Sequence, residues 1–217
     1  MFDAIVVGAR CGGSPTAMLL ARRGYRVLLV DRATFPSDTI STHFIWPPGV
    51  ACLKRWELLD RLSATNCPVT CGIGWDLGAF QLSGHPPAIE GVAEMYAPRR
   101  TVLDKLLLDA ASESGAEIRE GFSVTGLASA NGRVTGIRGH GPAGSEVEEQ
   151  ACIVVGADGR NSLVAKMVGA TEYDVRGTLS CCYYSYWADV PPHLASYHPA
   201  STAPTNYPCE CRQSLWA

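Results

Sequence analysis

The strongest constraint on the fold of this chain is a glycine-rich turn between two short apolar segments at its start. Residues 2–7 predict a buried β-strand, and residues 8–14, with the sequence GARCGGS, predict a turn into a helix that continues through Arg23. A second apolar segment, residues 27–30, ends at Asp31. These segments predict a βαβ unit whose helix start would bind a pyrophosphate and whose acid would accept hydrogen bonds from a ribose. The sequence therefore predicts a dinucleotide-binding site.

The turn departs from the usual dinucleotide-binding pattern at one position. The pattern GxGxxG would place glycine at position 10, where the chain has Arg10, although Gly8 and Gly13 are retained. The alternative interpretation is a βαβ unit that binds nothing. We favour the binding site because a strand precedes the turn, a helix follows it and Asp31 ends the next strand. The candidate cofactor-binding residues in this region are Gly8, Ala9, Arg10, Gly12, Gly13, Ser14, Asp31 and Arg32.

The composition indicates a globular protein and suggests neither a nucleic acid nor a membrane surface as its partner. Of the 217 residues, 18% are charged and 47% are hydrophobic, and the net charge is −3. Lys and Arg are scattered rather than clustered, so we expect no nucleic acid partner. No apolar stretch approaches the roughly 18 residues that a membrane span needs, and the N-terminus carries no basic leader. We therefore expect no membrane span and a cytoplasmic location.

The nine cysteines form no recognisable ligand set or disulfide framework. Their spacings, such as Cys67-x3-Cys71 and Cys209-x-Cys211, do not match the paired CxxC pattern of a zinc site. We expect reduced thiols that pack as small hydrophobic groups, and no metal site.

Two helices are predicted beyond the βαβ unit. Residues 50–62 carry apolar residues at helical spacing, and a second apolar stripe predicts a helix that begins at a capping box of Thr101 and Asp104 and stops near Gly115. Arg100 lies just before this second helix, where a cation opposes the helix dipole at a cost of about 0.3–1 kcal/mol. A bound anion would remove that conflict, so Arg100 is a candidate cofactor-binding residue. The alternative is a solvated arginine.

Extended segments occupy much of the remaining chain. Residues 67–95 predict short strands and turns, and residues 117–127 predict a strand. The dipeptide Asn131-Gly132 is a two-residue hairpin signal between extended segments. We therefore expect a three-stranded meander near residues 122–150.

A second glycine-containing turn follows an apolar strand predicted at residues 147–155. Residues 156–162 have the sequence GADGRNS, in which the Asp-Gly turn leads into Arg and Ser at the start of a new helix. Taken alone, this is an ordinary strand–turn–helix corner. Its candidate site residues are Gly156, Asp158 and Gly159.

Three elements in this order resemble the class A flavoprotein monooxygenase superfamily, which has the para-hydroxybenzoate hydroxylase fold and also contains geranylgeranyl-reductase-like oxidoreductases. They are the N-terminal turn with its acid, the sequence RTVL at residues 100–103, and the GADGRNS turn, which in that superfamily contributes to FAD and NAD(P)H binding. The likeness covers roughly residues 1–190. It implies an FAD-dependent oxidoreductase of the monooxygenase type, with NAD(P)H as co-substrate and a small molecule as substrate. Prenyl-reductase-like chemistry is the alternative.

The resemblance also implies roles for individual residues. Gly8, Gly13 and the following helix start would hold the FAD pyrophosphate, and Asp31 would bind the adenosine ribose. Arg100 would reach toward the flavin side of the cofactor. Asp158 would buttress the cofactor site.

One further segment has two interpretations. Residues 37–43 correspond to a loop that passes near the pyrophosphate and the flavin in that superfamily. His43 in this loop is either an acid–base group or a structural residue.

The predicted fold class is α/β, with a Rossmann-like FAD/NAD(P)-binding domain, a β-meander and the beginning of a β-rich substrate domain. We assign residues 1–71 and 97–172 to the FAD-binding domain, and residues 72–96 and 173–190, including a strand at 178–190, to a partial substrate domain. Residues 191–217 are rich in proline and without periodicity, so they predict a disordered or aberrant tail.

The resemblance breaks off before the end of the superfamily pattern. A later Gly-Asp motif is not found, and members of that superfamily are generally much longer, so we expect a truncated chain or a short FAD module with a missing partner. Two rival functions remain open. One is a plain NAD(P)-dependent Rossmann dehydrogenase, and the other is a non-catalytic FAD-binding remnant.

Overall fold

The computed structural model places most of the chain that carries the predicted motifs. His43, the strand predicted at 178–190 and the tail at 191–217 lie outside the described residues. The structure describes residues 1–41, 44–76 and 79–176.

The chain divides into two compact units. The first comprises Met1–Thr39 and Arg100–Arg176, and the described part of the second lies within Ile40–Arg99. The described elements, in chain order, are β1 (Phe2–Val7), α1 (Gly13–Ala21), β2 (Val27–Val30), α2 (Pro47–Arg55), α3 (Leu59–Ser63), β3 (Val69–Thr70), β4 (Ile73–Asp76), β5 (Gln81–Gly84), β6 (Met95–Tyr96), α4 (Arg100–Glu113), β7 (Glu117–Arg119), β8 (Ser123–Ala130), β9 (Arg133–His140), β10 (Glu146–Gly156) and α5 (Leu163–Met167).

The first unit is built on a six-stranded sheet with the order β7-β2-β1-β10-β9-β8. Strand β1 lies between β2 and β10 and runs parallel to both, and β2 runs parallel to β7. The first half of β10 pairs antiparallel with β9, whereas its second half pairs parallel with β1. This arrangement confirms the predicted α/β fold and the meander formed by β8, β9 and β10.

Apolar sequence places the central strands of this sheet in the interior. All four residues of β2 and the last four of β1 are buried, as expected for parallel strands that are covered on both faces. Helix α1 packs against α4 and against β1 and β2. A core cluster that includes Ile5, Leu28, Phe122 and Ile137 joins these strands to the meander. The sheet therefore holds the turns at its strand ends in fixed positions.

Two predicted turns are confirmed by their backbone conformations. Asn131 and Gly132 have φ angles of 51° and 75°, as a two-residue type I′ hairpin between β8 and β9 requires. Gly115 has a φ of 98° and follows the end of α4, so it ends the helix as predicted.

Two predicted elements are wrong as continuous segments. The helix expected at residues 50–62 is divided into α2 and α3, because Glu57 between them has a φ of 64° and turns the backbone out of the helix. The strand expected at residues 117–127 is divided into β7 and β8, because Gly121 between them has a φ of 65°.

Among its described residues, the second unit has two short antiparallel strand pairs, β3 with β6 and β4 with β5. The prediction of short strands and turns in residues 67–95 is therefore confirmed. The hydroxyl groups of Ser63 and Tyr96 are hydrogen-bonded at 3.1 Å, which links α3 to β6. The described part of residues 40–71, which the sequence predicts to belong to the FAD-binding domain, clusters with this second unit. The division of the chain into a cofactor domain and a substrate domain stays a prediction.

Among the cysteines that the structure describes, one departs from the expected reduced state. Cys11, Cys52, Cys67 and Cys152 are free thiols. Cys71 is disulfide-bonded, so the expectation of reduced thiols throughout is wrong there. A disulfide depends on the distance between two sulfur atoms in the fold, which the spacing along the sequence does not give.

The length of a helix decides whether it could cross a membrane. Helix α4 has 14 residues. Within the described ranges, no helix is both long enough and apolar enough to cross a membrane.

Candidate functional site

The two glycine-containing turns meet at the carboxyl edge of the parallel strands. The backbone N–H of Gly8 donates to the carbonyl oxygen of Val30 at 2.8 Å, and the N–H of Ala157 donates to that of Val7 at 2.8 Å. Strands β1, β2 and β10 therefore end side by side, with the two turns adjacent. Ligands of open α/β sheets bind at this kind of edge.

Gly8 and Gly13 permit a close approach of backbone that a larger residue would prevent. Gly8 has a φ of 101°, and a Cβ atom at this position would overlap the carbonyl group of Ala157. A Cβ atom on Gly13 would overlap the carbonyl oxygen of Gly8. Gly12 differs, because it has a φ of −90° and a Cβ atom there would have its nearest neighbour 3.9 Å away. The geometry of the turn therefore requires glycine at positions 8 and 13.

The start of α1 has no acidic residue and no capping side chain. Its N-cap is Gly12, and its first turn contains neither Asp nor Glu. Ser14 is fully buried and donates its hydroxyl proton to the carbonyl oxygen of Ala9 at 2.8 Å, so this hydroxyl is fixed inside the turn. The first N–H groups of a helix have no acceptor within the helix. The N–H of Ser14 donates to the carbonyl oxygen of Arg10 at 3.0 Å, but no described side chain caps the start of α1, so its other first N–H groups can bind an external anion.

Asp31 is fastened to the backbone on both sides. Its Oδ2 accepts from the N–H of Ala9 at 2.7 Å, and its Oδ1 accepts from the N–H of Ala33 at 2.8 Å. A carboxylate offers about four acceptor positions, so each oxygen keeps one for a further donor such as a ribose hydroxyl. Asp31 is half-buried and Arg32 beside it is exposed.

Asp158 organises the second turn. Its Oδ1 accepts from the hydroxyl of Ser162 at 2.5 Å, and its Oδ2 accepts from the N–H groups of Leu163 and Val164 at 2.6 and 3.2 Å. Desolvation raises the pKa of Asp158, but these hydrogen bonds outweigh it, so the pKa lies below its ordinary value. Ser162 is the N-cap of α5, which confirms the helix predicted to start in this motif.

The two glycines of the second motif have different roles in its geometry. A Cβ atom on Gly156 would lie 2.9 Å from the Cβ of Val164, so glycine allows α5 to pack against the end of β10. Gly159 has a φ of 87° and open space around its Cα. Its carbonyl oxygen accepts from the N–H of Ser162 at 3.0 Å, which closes the turn.

A buried carboxylate joins the glycine-rich turn to α4. The Oδ2 of Asp104 accepts from Nη1 of Arg10 at 2.6 Å and from Nη2 of Arg100 at 2.9 Å. Its Oδ1 accepts from Nε of Arg100 at 3.0 Å and from the thiol of Cys11 at 3.3 Å. We call these four residues the Asp104 cluster. Two guanidinium groups share one carboxylate, so the cluster carries one positive charge in excess.

This arrangement overturns the predicted capping box. Helix α4 begins at Arg100, one residue before Thr101. The carboxylate of Asp104 accepts from the two arginines and the thiol rather than from a backbone N–H at the helix start. Guanidinium groups are stronger donors to a carboxylate than a neutral N–H is, which explains the difference.

Arg10 is held on its other side by the segment that follows β2. Its Nη2 donates to the hydroxyl of Ser37 at 3.1 Å, and its Nη1 lies 3.4 Å from the carbonyl oxygen of the same residue. The guanidinium group lies 5.3 Å from the ring centroid of Phe35, within cation–π range. The side chain that replaces the usual glycine thus joins three segments of the first unit.

Cys11 shares the buried carboxylate but has little thiolate character. Desolvation of the sulfur, together with the charge of Asp104, raises the pKa of Cys11 to about 11. The thiol is therefore protonated near neutral pH and does not act as a nucleophile there.

The structure brings most of the predicted site residues into one connected region of the first unit. The glycine-rich turn contacts the second turn through Ala157, and it contacts Asp31 and Arg100 through hydrogen bonds and the shared carboxylate. Sequence reasoning did not identify Asp104 as part of this region. An acidic residue at a position where the neighbouring helix face is buried and apolar is the signal that would have found it.

A central parallel strand that ends in this glycine turn, with an acid closing the next strand, is the arrangement of a Rossmann-type dinucleotide-binding protein. Comparison with known families identifies the particular group. The chain belongs to the FAD binding domain family, whose sequence model matches residues 1–199. The resemblance to flavoprotein oxidoreductases is thereby confirmed.

The sequence of the chain is also similar to those of individual proteins. The chain is 30% identical over 187 residues to the FixC protein of Salmonella typhimurium, in an alignment that covers 79% of this chain and 40% of that protein. It is 31% identical over 218 residues to digeranylgeranylglycerophospholipid reductase 2 of Methanothermobacter thermautotrophicus, covering 95% of this chain and 52% of the reductase.

A solved structure agrees with these sequence matches. The chain is similar to the myxobacterial chondrochloren halogenase CndH, a variant of the FAD-dependent halogenases, with a TM-score of 0.66 and 27% identity. The match covers 73% of this chain and 38% of the halogenase. The chain thus spans roughly two fifths to one half of the length of the relatives that it matches.

Proposed function

We propose that this chain is the FAD-binding part of an FAD-dependent oxidoreductase that uses NAD(P)H as co-substrate. The observation that carries the proposal is the start of α1, which has no acidic residue in its first turn and no capping side chain, and which follows directly on the Asp104 cluster. Helix N–H groups and an excess positive charge together favour a doubly charged diphosphate.

The residues present fit such a group. Gly8 and Gly13 allow the turn to pack closely against its own backbone and against the second turn, and Gly12 places no side chain at the start of α1, where no side-chain cap is described. The Asp104 cluster has two guanidinium groups and one carboxylate, so it places one unbalanced positive charge near a helix start and raises the local potential there. A bound diphosphate would offset that unfavourable charge.

Each predicted residue then receives a role in binding. The turn from Gly8 to Ser14, which includes Ala9, Arg10 and Gly12, would hold the diphosphate. Asp31 would accept from the adenosine ribose, with Arg32 exposed next to it. Arg100 would serve the flavin side of the cofactor.

The second turn would support the cofactor site indirectly, through its close packing against Gly8 of the glycine-rich turn. The carboxylate of Asp158 is already engaged by Ser162 and α5, so we assign it the positioning of its turn rather than direct contact with the cofactor. Gly156 and Gly159 would set the path of that turn. When bound, FAD supplies the electron transfer, while the protein binds the cofactor, orients it and limits water access.

The reaction on the organic substrate has two candidates. A monooxygenase-type reaction follows from the superfamily that the sequence motifs resemble. Double-bond reduction of a prenyl chain is favoured by the 31% identity to digeranylgeranylglycerophospholipid reductase 2 over 95% of this chain. A non-catalytic FAD-binding role is the third outcome that the experiment must separate from these two. The cytoplasmic location predicted from the sequence stays part of this proposal.

The test begins with the visible absorption spectrum of the purified full chain after incubation with FAD and desalting. We expect a retained and perturbed flavin band. Oxidation of NADH and of NADPH by the flavin-loaded chain is then followed at 340 nm, with free FAD at equal concentration as the control. Retained flavin with NAD(P)H oxidation above the control supports the oxidoreductase proposal. Retained flavin without such oxidation supports the non-catalytic role, and loss of all flavin on desalting contradicts the proposal.

A further inference from the structure

Asp104 is an unusual residue for its position in the fold. Its relative exposure is 0%, and the other buried residues of α4 are all Leu or Ala. A carboxylate taken out of water loses a large part of its solvation free energy, which its partners must offset. Replacement of buried ion pairs by apolar groups of similar size is often neutral or stabilising. Stability of the α4 packing alone therefore gives little reason for an acid here.

The geometry of the cluster indicates a different reason. Arg10 and Arg100 both donate to the same oxygen, Oδ2 of Asp104, at 2.6 and 2.9 Å. Two guanidinium groups that donate to the same oxygen atom are close enough to repel each other, and the carboxylate that they share holds them together. Arg100 is further fixed by its second bond, from Nε to Oδ1 at 3.0 Å.

The far side of Arg10 is fixed as well. Ser37 accepts from Nη2, and the ring of Phe35 lies against the guanidinium group. Arg10 therefore has one defined position, between the segment after β2 and the buried carboxylate on α4. A flexible cation at this point in the turn would have to be ordered when an anion binds, and ordering a long side chain costs conformational entropy.

We propose that Asp104 is a positioning residue of the cofactor site, which holds Arg10 and Arg100 side by side at the start of α1 so that both are ordered before a diphosphate binds. The inference rests on the proposed FAD site and extends it to a residue that has no direct contact with the cofactor. Asp104 acts through the two arginines, and its own carboxylate remains buried.

The direction in which one substitution changes FAD affinity distinguishes positioning of the arginines by Asp104 from an effect of net charge alone. The substitution Asp104→Asn removes a negative charge, so a site that worked by net charge alone would bind FAD more tightly in the variant. If Asp104 orders the arginines, the variant binds FAD about tenfold more weakly in spite of its added positive charge, because bonds to a charged acceptor are lost.

The experiment measures FAD affinity of the full chain by quenching of flavin fluorescence. The matched control is Asp109→Asn, the same substitution on the same helix at a half-buried acid that pairs with Lys105 outside the cluster. We expect wild-type affinity in the control. Far-ultraviolet circular dichroism and thermal unfolding establish that both variants are folded.

A second variant keeps the test decisive if Asp104→Asn does not fold. Arg10→Lys preserves every charge but loses the planar fork that bonds Asp104 and Ser37 together. Positioning predicts weaker FAD binding by several-fold, whereas a charge-only site predicts no change.

A further measurement tests the Asp104 cluster in the absence of FAD. Alkylation of Cys11, followed by mass spectrometry of its peptide, reports the pH at which the thiol ionises. In Asp104→Asn we expect this pH to fall, because the neighbouring negative charge that raises the pKa of Cys11 is gone.

The outcomes are distinct. Weaker FAD binding in folded Asp104→Asn, with a lowered ionisation pH of Cys11, supports the inference. Unchanged or tighter FAD binding in folded Asp104→Asn, or unchanged binding in Arg10→Lys, overturns it and leaves the proposed FAD site standing. Absence of FAD binding by the wild-type chain overturns both.

Discussion

The backbone N–H of Ala9 donates a 2.7 Å hydrogen bond to Oδ2 of Asp31, so the acid at the end of β2 is tied directly to the glycine-rich turn after β1. The same carboxylate accepts from Ala33 through its other oxygen. Asp31 therefore has two roles in this fold. It fixes the turn, and it keeps acceptor capacity for a ribose.

Asp31→Asn is expected to lower both stability and FAD affinity. An amide of the same shape has only one acceptor atom, so one of the two backbone N–H groups loses its partner, at a cost of about 1–2 kcal/mol. Urea unfolding without ligand measures the first effect, and titration with FAD measures the second. Equal unfolding midpoints for variant and wild type would show that the lost backbone hydrogen bond contributes nothing to the fold.

Gly13→Ala is expected to be much more disruptive than Gly12→Ala. The added methyl group at position 13 would overlap the carbonyl oxygen of Gly8, so the backbone of the turn would have to shift. We expect a loss of about 2 kcal/mol or more, whereas the control at position 12 should lose less than about 1 kcal/mol. Thermal unfolding of the two ligand-free variants gives the comparison. A Gly13→Ala protein as stable as Gly12→Ala would contradict the close packing of the turn.

The second turn should become sensitive to acid through Asp158. The hydrogen bonds from Ser162 and from the start of α5 outweigh desolvation and hold the pKa of Asp158 below its ordinary value of 3.8. Its contribution to stability is therefore complete above the unfolded-state pKa and is lost as the pH falls through the lower folded-state pKa.

Asp158→Asn provides the measurement of this pH dependence. We expect the wild type to be more stable than the variant near pH 6, and the difference to shrink steadily below about pH 4. Urea unfolding at a series of pH values gives the two curves. A stability difference that is constant from pH 6 to pH 2.5 would assign the effect to packing rather than to the ionised carboxylate.

Cys11 offers a local report of cofactor binding. It is exposed in the turn that is proposed to hold the diphosphate, and its raised pKa of about 11 makes alkylation slow near pH 8 and faster toward pH 10. We expect saturating FAD to slow the alkylation of Cys11 at pH 9 by several-fold. Cys152, an exposed free thiol on β10, is the matched control and should react at the same rate with and without FAD.

The result of this protection experiment is informative in either direction. Selective protection of Cys11 places the cofactor against the glycine-rich turn. Retained FAD with no change in the alkylation of Cys11 would place the cofactor elsewhere on the chain.

Local patterns were enough to predict the framework of the site. The βαβ unit, the hairpin at Asn131-Gly132 and the helix that starts after Asp158 are each encoded within a short stretch, because strand apolarity, turn glycines and capping residues act over a few positions. The family resemblance used these same stretches in order along the chain.

Long-range contacts were not predictable in the same way. Arg10 and Asp104 are brought together only when α4 packs against α1, and no local pattern links them. The break between α2 and α3 rests on a left-handed Glu57, a residue type that gives no turn signal. The disulfide at Cys71 likewise depends on the folded chain.

The measurement that bears most directly on the proposed site is an equilibrium titration of the full chain with FAD and, in parallel, with FMN. Both ligands carry the flavin, but only FAD has the diphosphate and the adenosine ribose for which the start of α1 and Asp31 are built. We expect FAD to bind at least tenfold more tightly than FMN, by about 1.4 kcal/mol or more. Equal affinities for the two flavins, or no binding of FAD, would contradict a dinucleotide site at this turn.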